Sequence, residues 1–381
     1  MDFTLTPEQV DYCDAVAAFA ARDLDHDVSA AEAVGAFPRD AWQRCADFGL
    51  QGLPVPEEHG GAGADAVTVM LALEALGHAC ADNGLIFSLN AHMWAVEVPL
   101  VRFGTPAQKA RYLPPLCNGS FIGAQAMTEP GSGSDAFGLA TTATRSEGGY
   151  VLSGSKTFVT NGPAADVFLV YATTDREQGF AAVNAFLIDR GTAGLEVGAP
   201  LQKMGLKTSP MSELFLEGCV VGEDSLVGKP GAGFAIFNLA MLWERSLILA
   251  AAVGTMRRQL ERCVAYAKER RQFGRSISNY QAVSHRIVEM KLRLETSRVL
   301  LSRLAWALAR GEASASDSAL AKLHVSESYL QSSLDALQIF GGYGYMTEYE
   351  FERDVRDAVA GRIHSGTSEM QRNIVARSLG L

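Results

Sequence analysis

The run Glu147-Gly148-Gly149-Tyr150-Val151-Leu152-Ser153-Gly154-Ser155-Lys156-Thr157-Phe158-Val159-Thr160-Asn161-Gly162-Pro163 interrupts a chain that otherwise has the period of helices. Residues 150–153 and 157–160 are rich in β-branched and aromatic side chains, and turn formers bound them on either side, the pattern of short strands joined by tight turns. Residues 167–172, 182–188 and 211–216 repeat this texture, with Asp189-Arg190-Gly191 as a further turn. Residues 121–232 are therefore predicted to form a central β domain, barrel-like or a sandwich.

On both sides the apolar residues return at intervals of three and four. Thr6-Pro7-Glu8-Gln9 reads as an N-cap, a proline at the first helical position and an acidic first turn, and Val10, Cys13, Val16, Ala17 and Ala20 then form one stripe. A second helix follows Phe37-Pro38 and ends in a loop containing Pro54, Pro56, Gly60, Gly61 and Gly63; residues 66–79 and 83–103 are helical again. Beyond Gly228-Lys229-Pro230-Gly231, residues 234–267, 281–310, 314–340 and 351–365 each read as a helix, with a break at Gly341, Gly342 and Gly344. The fold class expected is α+β and multidomain: an N-terminal helical domain (1–120), the β domain (121–232) and a C-terminal helical bundle (233–381). The C-terminal helices are long enough to extend into a subunit interface.

With 381 residues, 48% of them hydrophobic, the chain can bury a large core, and its formal charge of -10 offers no attraction to a phosphate backbone. Nucleic acid is excluded as a partner on that ground. The six cysteines form no CxxC and the N-terminus has no basic, apolar leader, which fits reduced cytoplasm. Residues 234–254 are the longest apolar region, but Glu244 and Arg245 stand at its centre, where a bilayer would penalise them, so a buried helix and no membrane span are expected. The seven histidines show no metal spacing, and no metal is expected.

Glu244 is the sharpest local anomaly. Phe237, Met241, Glu244 and Ile248 share one helix face, so a carboxyl group interrupts an apolar stripe, and lost hydration should raise its pKa toward that of a general base. An ion pair with an arginine from another helix is the alternative. Thr128-Glu129-Pro130-Gly131-Ser132-Gly133-Ser134-Asp135 is a polar, glycine-rich loop that can approach a ligand closely, and equally a solvated turn. Gln338-Ile339-Phe340-Gly341-Gly342-Tyr343-Gly344-Tyr345 joins two helices through three glycines. In His364-Ser365-Gly366-Thr367-Ser368-Glu369, Ser365 or Thr367 suits an N-cap; no GxSxG marks Ser365 as a nucleophile.

The helical–β–helical order and these motifs together resemble the acyl-CoA dehydrogenase family of FAD-dependent flavoproteins, over nearly the whole chain. The resemblance implies a C-terminal four-helix bundle, FAD held between domains and across a dimer interface, and a homotetramer built as a dimer of dimers. It places Met127 and Thr128 at the flavin ring, Ser134 near flavin and the substrate's pantetheine arm, Phe158 against the ring in place of a common tryptophan, and Thr160 beside it. Arg270 and Phe273, in Glu269-Arg270-Arg271-Gln272-Phe273-Gly274, would reach the partner subunit's FAD, with Gln281 nearby. Gln338, Gly341 and Gly342 match its adenine and pyrophosphate end, and Thr367 and Glu369 the last contacts.

Many members place a catalytic glutamate where this chain has Ser365. The isovaleryl-CoA and long-chain branches instead put it on the first helix of the C-terminal bundle before an arginine, which Glu244-Arg245 resembles. The implied chemistry is removal of the α-proton of an acyl thioester by Glu244, hydride transfer from the β-carbon to flavin, and a thioester carbonyl held by the Ser365 backbone N–H, with Arg245 as a substrate contact. Phe87-Ser88-Leu89-Asn90-Ala91-His92, residues 161–167, Met241-Leu242-Trp243-Glu244 and residues 362–367 look most like the prolyl-carrier-protein dehydrogenases of natural-product pathways. The partner expected is thus an acyl or peptidyl carrier protein, received by a basic patch among Arg257, Arg258, Arg262, Lys268, Arg270, Arg271 and Arg275, with electrons passed to an electron-transfer flavoprotein or to oxygen. Tyr343 to Tyr349 look more like the ordinary acyl-CoA enzymes. The alternatives are an isovaleryl-like or short-chain acyl-CoA dehydrogenase and a flavin-binding protein without dehydrogenase activity.

Overall fold

The computed structural model describes residues 4–381. Seven helices precede the first strand: α1 (Pro7–Asp23), α2 (Val28–Val34), α3 (Arg39–Asp47), α4 (Ala66–Ala79), α5 (Asn83–His92), α6 (Val98–Phe103) and α7 (Pro106–Cys117). Thr6 caps α1 in a closed capping box: its hydroxyl accepts from the Gln9 N–H at 3.2 Å, and the Gln9 side chain accepts from the Thr6 N–H at 3.1 Å. The sequence reading had no counterpart for α2, a two-turn helix too short to show a period. The stretch 83–103 is helical throughout but widens at Met93–Glu97 into a π-helical turn between α5 and α6.

The middle of the chain forms one mixed eight-stranded sheet: β1 (Gly123–Ala126), β2 (Thr142–Ser146), β3 (Gly149–Thr160), β4 (Val167–Thr173), β5 (Val183–Asp189), β6 (Leu195–Val197), β7 (Met211–Gly222) and β8 (Leu226–Val227). The order is β6-β7-β3-β2-β4-β5-β8, with β1 parallel to β4. The runs 150–153 and 157–160, which read as separate strands, are one strand. Two irregularities against β7, at Leu152/Gly154 and Lys156/Val159, break its alternation without ending its pairing. β4 is buried along its whole length, which is why its sequence is continuously apolar.

The C-terminal part contains α8 (Gly233–Leu247), α9 (Ala250–Glu269), a small hairpin of β9 (Arg271–Gln272) and β10 (Arg275–Ser276), α10 (Gln281–Ala309), α11 (Ala315–Phe340), α12 (Phe351–Ala360) and α13 (Ser368–Ser378). Residues 234–267 are therefore two helices, not one. The backbone leaves the helical ladder at Leu249 (φ -96°, ψ 7°), and no Gly or Pro announces the break. It lets α8 pack on the sheet while α9 turns along α4. Residues 351–365 also end early, because α12 stops at Ala360 and a tight turn leads to α13. The apolar stretches Asn83–Phe103 and Gly233–Glu269 have the length and composition of membrane spans, yet 83% and 61% of their most apolar windows are buried in this fold.

The N- and C-terminal helices meet backbone to backbone. A Cβ on Gly77 would lie 2.0 Å from the Ala251 carbonyl oxygen, and one on Gly254 2.0 Å from that of Glu74. Arg258 reinforces the crossing, its Nη1 donating to the carbonyls of Gly77 (2.8 Å) and Cys80 (2.6 Å). Gly254→Ala should push α4 and α9 apart and cost about 1–3 kcal/mol, read as a lower midpoint in thermal or urea unfolding.

Candidate active site

Glu244 lies on the buried face of α8. Phe237, two turns earlier, packs edge-on against Tyr171 of β4 (5.7 Å between ring centres) and against Phe137 (5.5 Å), so this face turns toward the sheet and the segment after the glycine-rich loop. Glu244 is only 9% exposed. Burial pushes its pKa up, against a hydrogen bond from Ser365 and the nearby charges of Arg245 and Lys322. The ion-pair alternative is not what the fold builds: among the described residues no guanidinium or ammonium comes within salt-bridge distance of the carboxyl. Its one hydrogen-bond partner among the described residues is the Ser365 hydroxyl, which donates to Oε1.

The basic groups hold the turn instead. Arg245 Nε donates to the Ser365 carbonyl at 2.8 Å and Lys322 Nζ to the Gly366 carbonyl at 2.8 Å. Gln371 Nε2 reaches both carbonyls, at 3.2 and 2.7 Å. These donors keep Ser365 and Gly366 at φ 56° and 91°, left-handed values that a serine adopts only under constraint. Among the described residues the Ser365 N–H donates to nothing, so it is available to a carbonyl oxygen. Arg245, expected at the substrate, is engaged with this turn. Burial and the charge of Arg245 bring Lys322 down to about 8. Burial, followed by Lys322, brings His364 down to about 3, so its imidazole is neutral; Nδ1 lies 2.9 Å from the Ser365 hydroxyl and its ring 5.0 Å from that of Phe87.

The glycine-rich loop is pinned to β3 by a buried ion pair. Lys156 Nζ donates to Glu129 Oε1 at 2.7 Å and to the Met127 carbonyl at 3.1 Å, and Glu129 also accepts from the N–H groups of Ala140 (2.6 Å) and Thr141 (3.0 Å). Burial alone would raise Glu129; Lys156 and the hydrogen bonds from Thr141 and Ala140 together outweigh it and hold the carboxyl below its usual range. The Thr157 N–H donates to the Thr128 carbonyl at 2.9 Å, which closes Met127 and Thr128 onto the strand. Ser134 stands exposed on the loop. At the Lys156/Val159 irregularity Phe158 takes φ 55°, which puts Lys156 and Val159 inward and leaves the Phe158 ring 62% exposed; Thr160 follows at the strand end.

Arg270, Gly341 and Gly342 line a separate groove of about 470 Å³ with Tyr266 and Tyr343. The Arg270 guanidinium lies over the Tyr343 ring at 5.7 Å. Phe273 projects from the tip of the β9–β10 hairpin with its ring 93% exposed, Gln281 begins α10, and Gln338 lies on the exposed side of α11 near its end. Thr367 is the cap of α13, accepting from the Met370 N–H at 3.3 Å, and Glu369 lies in its first turn. No hydrogen bond or ion pair among the described residues joins this group to the Met127–Thr160 group.

These residues fit FAD. A ring system needs flat apolar cover, which Phe158 and Phe273 present unburied; a pyrophosphate needs close backbone approach and positive charge. A Cβ at Gly131, Gly133, Gly341 or Gly342 would meet nothing within 4 Å, Gly341 adopts φ 59° and ψ -130°, open only to glycine, and Arg270 supplies the charge. The expected basic patch is thinner than its sequence density: Arg258 and Arg262 donate to backbone carbonyls and approach Asp354 and Glu350, and Arg257 pairs with Glu261. Lys268, Arg270, Arg271 and Arg275 remain exposed. Lys156, Glu129, Lys322, His364 and Gln371 were not singled out from sequence. Lys322 did carry a signal, since it lies three residues from Ala319 and from Val325 on a buried stripe.

Fold and site define a three-part oxidoreductase in which a helix of the C-terminal bundle carries a buried carboxyl and a central sheet carries the glycine-rich loop. The chain belongs to the acyl-CoA dehydrogenase family: the models of its N-terminal, middle and C-terminal domains match residues 6–120, 124–219 and 231–380. It is 44% identical to an L-prolyl-[peptidyl-carrier protein] dehydrogenase of Pseudomonas fluorescens over 91% of each chain. Among solved structures it is similar to the prolyl acyl carrier protein oxidase AnaB (TM-score 0.98, 45% identity, 99% of this chain and 100% of that one) and to PigA with FAD and proline (TM-score 0.98, 41% identity, 100% of both).

Lys156→Met should leave Glu129 buried and unpaired. A loss of about 3–5 kcal/mol in unfolding free energy is expected, together with weaker FAD retention on gel filtration.

Proposed function

We propose that this chain is an FAD-dependent dehydrogenase that oxidises a prolyl-like aminoacyl thioester, carried on the phosphopantetheine arm of a carrier protein, in natural-product biosynthesis. The observation that carries the chemistry is the Glu244 carboxyl, buried and, among the described residues, without a counter-ion in contact, beside a turn whose Ser365 N–H has no acceptor among them. The similarity to prolyl-carrier enzymes over the whole chain supports the substrate.

When bound, FAD supplies the acceptor for the two electrons that leave the β-carbon. Glu244 takes the α-hydrogen as a proton on Oε2, and burial suits it to the task by raising its proton affinity. The Ser365 N–H holds the thioester carbonyl oxygen while negative charge grows on it. In this reading Met127, Thr128, Ser134, Phe158 and Thr160 border the flavin ring, with Ser134 also at the pantetheine arm. Arg270, Phe273, Gln281, Gln338, Gly341, Gly342, Thr367 and Glu369 hold the rest of FAD across a dimer interface.

A homotetramer is part of the proposal. Val288, Leu292, Val299 and Trp306 recur at intervals of four, seven and seven along α10 and are exposed, as are Leu320 and Leu334 of α11 and the Phe273 ring. Lys268, Arg270, Arg271 and Arg275 are the exposed basic groups left to guide an acidic carrier protein. An electron-transfer flavoprotein or oxygen reoxidises the flavin, and the setting is cytoplasmic. An isovaleryl-like or short-chain acyl-CoA is the second reading, favoured by the run from Tyr343 to Tyr349.

Anaerobic flavin bleaching by prolyl-carrier protein, seryl-carrier protein, isovaleryl-CoA and butyryl-CoA separates these readings. The prolyl carrier should reduce the flavin fastest; faster reduction by a CoA ester at equal concentration reverses the assignment, and bound FAD bleached by none points to a flavin-binding protein. Glu244→Gln should retain FAD and lose more than about 100-fold in reduction rate. Because the base works deprotonated and its pKa is raised, wild-type reduction should fall as pH drops through that raised value and level off above it, as stopped-flow absorbance would show.

A further inference from the structure

The Ser365 side chain has no part in the reading above, which uses only its backbone N–H, yet among the described residues it is the one hydrogen-bond partner of the base. Its hydroxyl donates to Glu244 Oε1, and its oxygen lies 2.9 Å from His364 Nδ1. A hydroxyl has one proton to give. With that proton directed at Glu244, the oxygen must accept from His364, which fixes the imidazole as its Nδ1–H form. The ring is steadied by Phe87 at 5.0 Å. Glu244 Oε2 has no hydrogen-bond partner among the described residues.

We propose that the Ser365 hydroxyl, oriented by His364, is the positioning residue of the base: it fixes one oxygen of the Glu244 carboxyl and leaves the other for the α-hydrogen. This rests on the assignment of Glu244 as the base. The charged and titratable groups facing that carboxyl are Arg245 on its own helix, Lys322 from α11, Tyr171 from β4 and His364 from the turn. Arg245 and Lys322 are engaged with the carbonyls of Ser365 and Gly366, so their charges act through space on Glu244 while their hydrogen bonds hold the serine in place. The left-handed backbone at Ser365 aims the hydroxyl at α8, and four hydrogen bonds from Arg245, Lys322 and Gln371 to the two carbonyls keep it there.

A hydrogen bond given to a carboxylate favours its charged form, so its removal makes the base harder to deprotonate. Ser365→Ala and Ser365→Gly both delete the hydroxyl, but only the glycine relaxes the left-handed backbone. The Glu244 carboxyl is titrated by infrared difference spectroscopy against E244Q, without substrate, and flavin reduction is followed across pH in the same proteins. Both variants should retain FAD and shift the carboxyl midpoint and the acid limb of reduction upward together by about one pH unit, roughly a tenfold lower rate on that limb. Ser365→Cys, a weaker donor, should fall between them and the wild type. His364→Phe, which keeps a ring against Phe87 and removes Nδ1–H, should move the midpoint in the same direction by less. Unmoved midpoints in S365A and S365G overturn the proposal, as does a shift in only one of them, which would trace to the backbone. Full activity in E244Q would instead overturn the assignment of the base.

Discussion

The active-site region depends on burying a carboxyl group that has no counter-ion in contact among the described residues. A charge in that position is stable only if something hydrogen-bonds it and if opposite charge lies close enough to act through space. The fold meets both conditions by indirection. Arg245 and Lys322 neutralise the region while bonding to main-chain carbonyls, and the turn they hold presents a hydroxyl to Glu244. A direct ion pair would have stabilised the carboxylate more strongly and lowered its proton affinity, which a base for a carbon acid cannot tolerate.

That arrangement joins three helices far apart in sequence, α8, α11 and α13, and it holds only if the helical parts keep their relative positions. The crossing of α4 and α9 at Gly77 and Gly254 does this for the N- and C-terminal parts, by allowing backbones to touch where any side chain would separate them. The Lys156–Glu129 pair does the same for the loop and the sheet. Here a buried charge is paired directly, because its role is to hold position and not to exchange protons.

The chain also leaves surface that it does not cover itself. The rings of Phe158 and Phe273, the groove at Arg270 and the apolar positions along α10 are each left exposed by this chain. Aromatic surface on a hairpin tip or a strand irregularity has an unfavourable exposure that is removed only by a ligand or a second subunit. In the proposed reading, cofactor binding and assembly are therefore parts of one problem.

Much of this was legible in the residues. Period and turn chemistry marked the helical, strand and helical thirds; the N-cap at Thr6 was readable because it is local; and the interruption of an apolar stripe singled out Glu244. The break at Leu249 had no Gly or Pro to announce it, and β3 read as two strands because its irregularities disrupt the alternation on which a strand is recognised. Ser365 was legible as a departure from the family's glutamate but not as a partner of Glu244. One hundred and twenty-one positions separate the two, and neither period nor propensity carries information about a contact at that distance. The sequence by itself determined the helical, sheet and helical division of the chain and marked Glu244 as a carboxyl set in an apolar stripe, since both follow from near neighbours along the chain. Only the tertiary structure decided what touches that carboxyl, because hydrogen-bond partners across helices are set by packing.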